Sequence, residues 1–261
     1  MRFMSGEGIC LGSLGRAHNA LGNHDDAVTN YEHAIQIART IGDRRSEGIH
    51  LGSLGDVYHN SGDYRKAIEY LLKALQIAQQ IADKHFESTT LINLGLAHER
   101  LNDNKAAIGF LERSLYLARE IGNTWEEGVV IGNLGDLYLK LNRLEDAEAA
   151  LRKAIAIGDR AFPMAVGAFR ASLALILARR SQFDDARENL KIGETQIQSD
   201  PTELAKFLCK KGHVHLLAAE PGQAAESLAR SKTIEAELNA DPASEVGRAV
   251  SELSRALNEA N

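Results

Sequence analysis

Apolar residues recur along this chain at spacings of three and four, and one phrase of that kind returns every 40 residues. Residues 51–75 read LGSLGDVYHNSGDYRKAIEYLLKAL, residues 91–115 LINLGLAHERLNDNKAAIGFLERSL and residues 131–155 IGNLGDLYLKLNRLEDAEAALRKAI. Such spacings place apolar side chains on one face of an α-helix, while clusters such as SGDY and LNDN are typical of turns. Each phrase therefore predicts two helices joined by a turn, and the fixed period predicts a repeat architecture.

Particular residue types occupy fixed columns of the repeat. A leucine column is followed directly by a glycine column, then by an aromatic or histidine column, and in the second helix by an alanine column. In the first four units these columns hold Leu14, Leu54, Leu94 and Leu134; Gly15, Gly55, Gly95 and Gly135; His18, Tyr58, His98 and Tyr138; and Ala27, Ala67, Ala107 and Ala147. We expect the two helix backbones to come close at the glycine and alanine columns, because a larger side chain would push them apart.

This arrangement of columns resembles the tetratricopeptide repeat (TPR), in particular the long repeats of kinesin light chains, cell-polarity adaptors and bacterial TPR regulators. The usual unit has about 34 residues, so longer helices are expected here. The resemblance implies an all-α, right-handed superhelical solenoid of about six helical hairpins with a C-terminal capping helix. We expect a single array over residues 1–261, with repeats at approximately 5–42, 45–82, 85–122, 125–161, 164–199 and 201–239 and a terminal helix at 242–258.

The last units depart from the strict pattern. Asp200-Pro201 and Asp241-Pro242 are typical of helix starts, because a carboxylate caps the helix and proline fits its first turn. In the sixth unit Lys211 stands in the leucine column. This unit therefore matches the repeat pattern least well.

Composition narrows the classes of function. A net charge of −6 does not provide the basic surface that nucleic acid and anionic lipid favour, and no apolar run approaches the roughly 20 residues that span a bilayer. Cys10 and Cys209 are isolated in the sequence, which indicates two small buried side chains rather than a disulfide or a metal site. We therefore expect a cytoplasmic protein with neither a nucleic-acid nor a membrane partner.

The sequence contains no pattern typical of catalysis. His18 and His98 stand in the aromatic column, where packing explains them. His213 and His215 are two residues apart on a predicted helix and point roughly 200° apart, a poor geometry for one metal ion. Neither HExxH nor CxxC occurs, nor does a nucleophile elbow or a phosphate loop. We expect no enzyme activity, no catalytic residue and no metal or other cofactor.

The resemblance implies that the free face of each first helix lines a concave, peptide-binding groove. Asparagine suits this role because its amide both donates to and accepts from an extended backbone, and we expect Asn93 and Asn133 to lie at the centre. Ordinary polar residues on a solvated helix face are the alternative explanation. The candidate peptide-binding residues are Ser13, Arg16, Asn19, Ser53, Asp56, His59, Asn93, Leu96, Arg100, Asn133, Asp136 and Lys140.

Two further features of this face leave alternatives open. Gly12, Gly52 and Gly132 lie on it, which indicates the close approach of either a ligand or the neighbouring hairpin. Toward the C-terminal end the same face is expected to become apolar, at Leu96 and then at Leu139, Leu175 and Ala178.

Together these patterns predict a non-enzymatic protein–protein interaction scaffold that binds a peptide segment of a partner protein of unknown identity. The alternative is a self-associating array, or the structural arm of a larger multidomain regulator. The first predicted helix begins close to Met1, and no earlier hairpin covers its outer flank. We therefore expect a monomer or a weak homodimer that forms through this N-terminal flank.

Overall fold

The computed structural model describes residues 2–159, 163–242 and 244–260. These residues form thirteen α-helices and contain no strand, which confirms the all-α prediction. The helices are α1 (Arg2–Ala20), α2 (His24–Ile41), α3 (Arg44–Asn60), α4 (Tyr64–Gln80), α5 (Lys84–Arg100), α6 (Asn104–Glu120), α7 (Thr124–Lys140), α8 (Leu144–Gly158), α9 (Pro163–Arg179), α10 (Phe183–Ile197), α11 (Pro201–Leu217), α12 (Pro221–Glu237) and α13 (Glu245–Ala260).

The chain folds as two compact units, Met1–Asn123 with α1 to α6 and Thr124–Asn261 with α7 to α13. In the first unit the helices pair as hairpins, and α2 and α4 each also pack against the first helix of the next hairpin. The helices α1, α3 and α5 touch their neighbours directly and therefore lie side by side. In the second unit α8 packs against both α7 and α9, while α11 packs mainly against α9, α12 and α13.

Aspartates at the turns start helices of the first unit. The carboxylate of Asp63 accepts a hydrogen bond from the Lys66 backbone N at 3.2 Å, and that of Asp83 accepts one from the Phe86 backbone N at 3.0 Å. These bonds satisfy amides that the first helical turn leaves without an intrahelical partner. Gly62, just before Asp63, has a φ of 84°, a left-handed conformation that glycine adopts easily. One short turn thus ends a helix and caps the next.

Of the two helix starts predicted near the C-terminal end, one is confirmed and the other is wrong. Asp200 caps α11 as predicted, with its Oδ1 accepting a hydrogen bond from the Glu203 backbone N at 3.0 Å. The predicted start of the terminal helix at residue 242 is wrong, because α13 begins at Glu245. The hydroxyl of Ser244 accepts a hydrogen bond from the Gly247 backbone N at 3.2 Å, so the serine satisfies the first turn of this helix.

The glycine column packs against the second helix of the same hairpin, as predicted. A Cβ atom on Gly55 would lie 2.7 Å from Cγ of Leu71, and one on Gly135 would lie 2.8 Å from Cγ of Leu151. Distances this short leave no room for any side chain. The glycines therefore set how closely the two helices of a hairpin approach.

The terminal helix α13 covers the last hairpin with one apolar face. Val246, Val250 and Leu253 are buried in the second unit, whereas Glu252 and Arg255 are exposed. An amphipathic last helix hides core that a bare repeat would expose to water. The predicted capping role of this helix agrees with that packing.

The two cysteines lie in different environments. Cys209 is buried as predicted, with its Sγ 3.2 Å from Oγ of Ser231. The prediction that Cys10 is buried is wrong: Cys10 is exposed, because α1 packs only against α2 and α3 and no described helix covers its other side. For the same reason Leu14 is 50% exposed, although Leu54 in the same column is fully buried.

No helix that the structure describes has both the length and the apolar character that crossing a bilayer requires.

Candidate functional site

The predicted site residues of the first unit lie on the three first helices α1, α3 and α5. Together these residues form what we call the α1–α3–α5 face. Ser13 and Arg16 are exposed on it. The half-buried members are Asn19 on α1; Ser53, Asp56 and His59 on α3; and Asn93, Leu96 and Arg100 on α5.

A hydrogen bond joins two of these residues across neighbouring helices. Nδ2 of Asn93 on α5 donates to Oδ1 of Asp56 on α3 at 2.7 Å. The bond forms because Asn93 stands directly before the leucine column and Asp56 two residues after it, so both turn toward the contact between α3 and α5. One N–H of the asparagine is therefore engaged within the chain, while its second N–H and its carbonyl oxygen are not used by the described residues.

Asp56 is a carboxylate in an environment that disfavours its charge. Burial raises its pKa to about 7. It forms no ion pair with any residue that the structure describes. A partly desolvated carboxylate without a cation is costly in its ionised form. The charge of Asp56 is therefore not compensated by an ion pair within the described residues.

Polar side chains surround Asp56 on the same face. Ser53, one turn earlier on α3, lies near the side chain of Tyr31 on α2, whose pKa is raised chiefly by burial. The side chain of Asn60 at the end of α3 donates to Oδ1 of Asn19 on α1 at 3.3 Å. The face therefore offers hydrogen-bonding groups on all three helices.

The second unit carries the corresponding predicted residues on α7, where Asn133 and Asp136 are half-buried and Lys140 is exposed. Unlike Asp56, Asp136 has a cation nearby, since Nζ of Lys210 on α11 lies 3.7 Å from its Oδ1. The same ammonium donates to Oγ of Ser172 at 2.5 Å. Sequence reasoning missed Lys210, although it stands in the column of Asn93 and Asn133 directly before the leucine position.

The glycines of this face are explained mainly by the neighbouring hairpin. A Cβ on Gly12 would lie 2.5 Å from Cε1 of His50, and one on Gly132 would lie 2.1 Å from Cζ of Phe169. A Cβ on Gly52 would meet its nearest neighbour only at 3.6 Å, an ordinary contact. Crowding between first helices therefore accounts for two of the three positions.

The prediction that this face becomes apolar toward its C-terminal end is wrong for two of the four residues. Leu139 and Ala178 are buried in the second unit and present almost no surface. Both lie in contacts between helices, and the periodicity of the sequence alone did not distinguish these positions from those on the exposed face. Leu96 in the first unit and Leu175 in the second are half-buried.

Comparison with known proteins identifies the repeat. The tetratricopeptide-repeat family model matches residues 8–80, 46–120 and 86–159. No curated protein is similar enough in sequence to count as a relative. Solved structures do resemble the chain, and BtubC from P. vanneervenii is 20% identical, with a TM-score of 0.65 over 82% of this chain and 91% of BtubC.

Two further solved structures have somewhat higher TM-scores. The Rap conjugation gene regulator of plasmid pLS20, solved with the Phr* peptide, is 17% identical, with a TM-score of 0.71 over 95% of this chain and 74% of its own. Aspartyl phosphate phosphatase F from Bacillus subtilis is 15% identical, with a TM-score of 0.75 over 97% of this chain and 70% of its own. At such identities the likeness concerns the fold alone. Because the family model covers more than half of the chain and its columns pack as the repeat requires, this chain belongs to the tetratricopeptide-repeat family.

Proposed function

We propose that this protein is a non-enzymatic scaffold that binds an extended peptide segment of a partner protein on the α1–α3–α5 face, with a basic group of that segment beside Asp56. The observation that carries the proposal is the half-buried Asp56 carboxylate, which accepts a hydrogen bond from Asn93 and forms no ion pair with any described residue.

The hydrogen-bonding groups of this face suit a peptide main chain. The carbonyl oxygen and second N–H of Asn93 are free of the described residues, so the amide can still accept from and donate to an extended backbone. Bonds to main chain give affinity without demanding a particular side-chain sequence. A protein of the same fold has been solved with a peptide, the Rap regulator with Phr*, and this likeness supports the proposal.

The charge of Asp56 selects the kind of side chain that binds beside it. A guanidinium or ammonium group within hydrogen-bonding distance favours the ionised carboxylate and lowers its pKa. Since the free carboxyl has a pKa of about 7, binding such a group releases a proton when the pH is below that value. The affinity for a basic peptide is therefore expected to rise as the pH rises through 7.

The pH dependence that Asp56 causes must be distinguished from that of the other ionisable groups on this face. These groups are Arg16 on α1, His59 on α3 and both Glu99 and Arg100 on α5, with Tyr31 contributed by α2. Of these, only histidine ordinarily titrates near neutral pH. The variant His59→Gln therefore tests whether a pH effect belongs to Asp56.

Selection from a displayed library of random short peptides tests the proposal. The wild-type protein is expected to enrich sequences with one arginine or lysine at a fixed position, and Asp56→Asn is expected to lose that enrichment. Glu112→Gln is the matched control, because Glu112 is an exposed carboxylate on α6, away from the α1–α3–α5 face. Enrichment of acidic peptides, or an unchanged selection by Asp56→Asn, would contradict the proposal.

A second candidate is self-association through α1. Ile9 and Leu14 on this helix are 63% and 50% exposed, and Leu21, in the turn directly after it, is 75% exposed. Exposed apolar side chains favour association with another apolar surface. Light scattering over a range of concentrations decides this candidate: a concentration-dependent mass that Leu14→Lys abolishes supports it, and a constant monomer mass rules it out.

A further inference from the structure

A polar cleft of about 430 Å³ opens between α10, α11 and α12 of the second unit. Cavities of roughly 300–1,000 Å³ are typical of small-molecule sites. The cleft lies between the second helices α10 and α12 and the first helix α11, rather than on α7, where the predicted site residues of this unit stand. Its charged lining residues are Arg187, Lys191, Glu194, Lys211, Glu226 and Arg230.

The cleft exists because Lys211 replaces leucine in the leucine column. In the fifth unit of the repeat, Leu173 fills that column and is buried. The ammonium of Lys211 instead reaches Oε2 of Glu194 on α10 at 2.7 Å. A long charged side chain cannot pack against the neighbouring helix as leucine does, so α10 and α11 stand apart with a polar space between them.

One carboxylate connects all three helices around this space. Glu194 on α10 contacts Lys211 on α11 and also Nη1 of Arg230 on α12, the latter at 2.8 Å. Burial acts to raise the pKa of Glu194, but the hydrogen bonds from Lys211 and Arg230 hold it below the ordinary value. The two cations therefore stay charged beside an ionised Glu194 and are held toward the cleft.

The lining carries more positive than negative charge. Arg187 pairs with Glu220 at 2.6 Å and with Asp184 at 3.1 Å, outside the lining. The other three cations, Lys191, Lys211 and Arg230, face the two carboxylates Glu194 and Glu226, which leaves one positive charge in a chain whose net charge is −6. Lys211 and Arg230 share a single carboxylate, so most of their N–H donors remain available. Lys191 forms no ion pair within the part of the chain that the structure describes.

We propose that this cleft binds a small molecule bearing a phosphate group, with the phosphate held by Lys191, Lys211 and Arg230. A phosphate carries close to two negative charges at neutral pH and therefore complements the positive charge of the lining. Lysine and arginine donors form strong charge-assisted hydrogen bonds with phosphate oxygens. Thr195, Gln198, Gln223 and Ser227 line the rest of the cleft with groups that can hydrogen-bond to a polar remainder of the ligand.

Calorimetric titration of the full chain tests this proposal with inorganic phosphate, adenosine monophosphate and a short phosphoserine peptide as probes. We expect saturable binding, tightest for adenosine monophosphate. Lys191→Met should weaken it by about tenfold or more, because each charge-assisted contact to phosphate is strong. Lys191 has no structural ion pair, so this variant should keep its fold, which circular dichroism checks.

Arg230→Met and Lys232→Met complete the test. Lys232 is exposed on the same helix as Arg230 but does not line the cleft, and its loss removes an equal charge. Arg230→Met should weaken binding as Lys191→Met does, and Lys232→Met should leave it unchanged. Absence of saturable binding, or equal weakening by Lys232→Met, overturns the site. Tighter binding of the phosphoserine peptide overturns the assignment to a small molecule.

Discussion

Asn93 donates a hydrogen bond to Asp56 at 2.7 Å and thereby joins the first helices of two successive hairpins at the face where we place the ligand. Asparagine is neutral, so it stabilises the carboxylate without compensating its charge. Burial still raises the pKa of Asp56 to about 7. The pair is thus structurally connected but electrostatically incomplete, and a cation from a ligand would complete it.

The free protein is expected to gain stability when Asp56 loses its charge. A carboxyl whose pKa is raised in the folded state opposes folding when ionised, so this penalty is absent at low pH. It grows from about pH 4, where the unfolded chain ionises, and is complete above about pH 7. We expect Asp56→Asn to raise the free energy of unfolding by roughly 1–3 kcal/mol at pH 8, measured by urea denaturation. The gain should vanish near pH 4, and a gain that is independent of pH would contradict this account.

Removal of the Asn93 amide is expected to weaken ligand binding. Asn93→Ala takes away the donor to Asp56 and the groups proposed for the peptide backbone. The loss should be about 1–3 kcal/mol, or roughly five- to a hundred-fold in the dissociation constant of a selected peptide, measured by fluorescence anisotropy. Asn133→Ala, in the corresponding column of the second unit, gives the comparison. An unchanged affinity in Asn93→Ala would place the site elsewhere.

Filling the glycine column is expected to destabilise the hairpins. In Gly55→Leu and Gly135→Leu the new side chain meets Leu71 or Leu151 at distances that no ordinary contact allows. Overpacking of this kind costs about 1–3 kcal/mol or more, which thermal and urea unfolding would measure. Gly109→Ala is the control, because a Cβ on Gly109 meets nothing within 4 Å, and alanine should stabilise α6 by up to about 1 kcal/mol.

Because of the aspartate caps, the free energy of unfolding is expected to fall at acidic pH. Asp83 accepts from the Phe86 backbone N, and this bond above all lowers the pKa of its carboxyl. A lowered pKa stabilises the fold above the unfolded value near pH 4, and this stabilisation disappears as the pH falls through the folded value. Asp83→Ala should cost about 1 kcal/mol at pH 7 and progressively less below pH 4, as a pH series of urea midpoints would show.

The fold could be predicted from the repeat columns because each column holds the residue type that one particular contact between helices requires. Leucine and glycine recur where α3 meets its neighbours, so periodicity alone indicated the hairpins. The errors fall where the local context differs from the repeat. Cys10 is exposed because no described helix packs on that side of α1, and Leu139 is buried although its column was assigned to the free face.

The candidate site was only partly predictable, since side-chain partners depend on contacts between helices. The sequence marked Asp56 and Asn93 as separate candidates, but only the fold brings them within 2.7 Å. Lys210 was overlooked beside Asp136 because a lysine in a column of serines and asparagines gave no sign of its partner. The cleft beside Lys211 likewise required the positions of three helices.

The central claim is tested most directly by a double-mutant cycle between Asp56 and the basic residue of a selected peptide. The affinities of the wild-type protein and Asp56→Asn are measured at pH 8 for the peptide and for its twin with citrulline in place of arginine. We predict that the two changes are strongly non-additive, with a coupling of about 1–3 kcal/mol, because each removes the same contact. Additive losses would contradict the claim and show that the basic group does not meet Asp56.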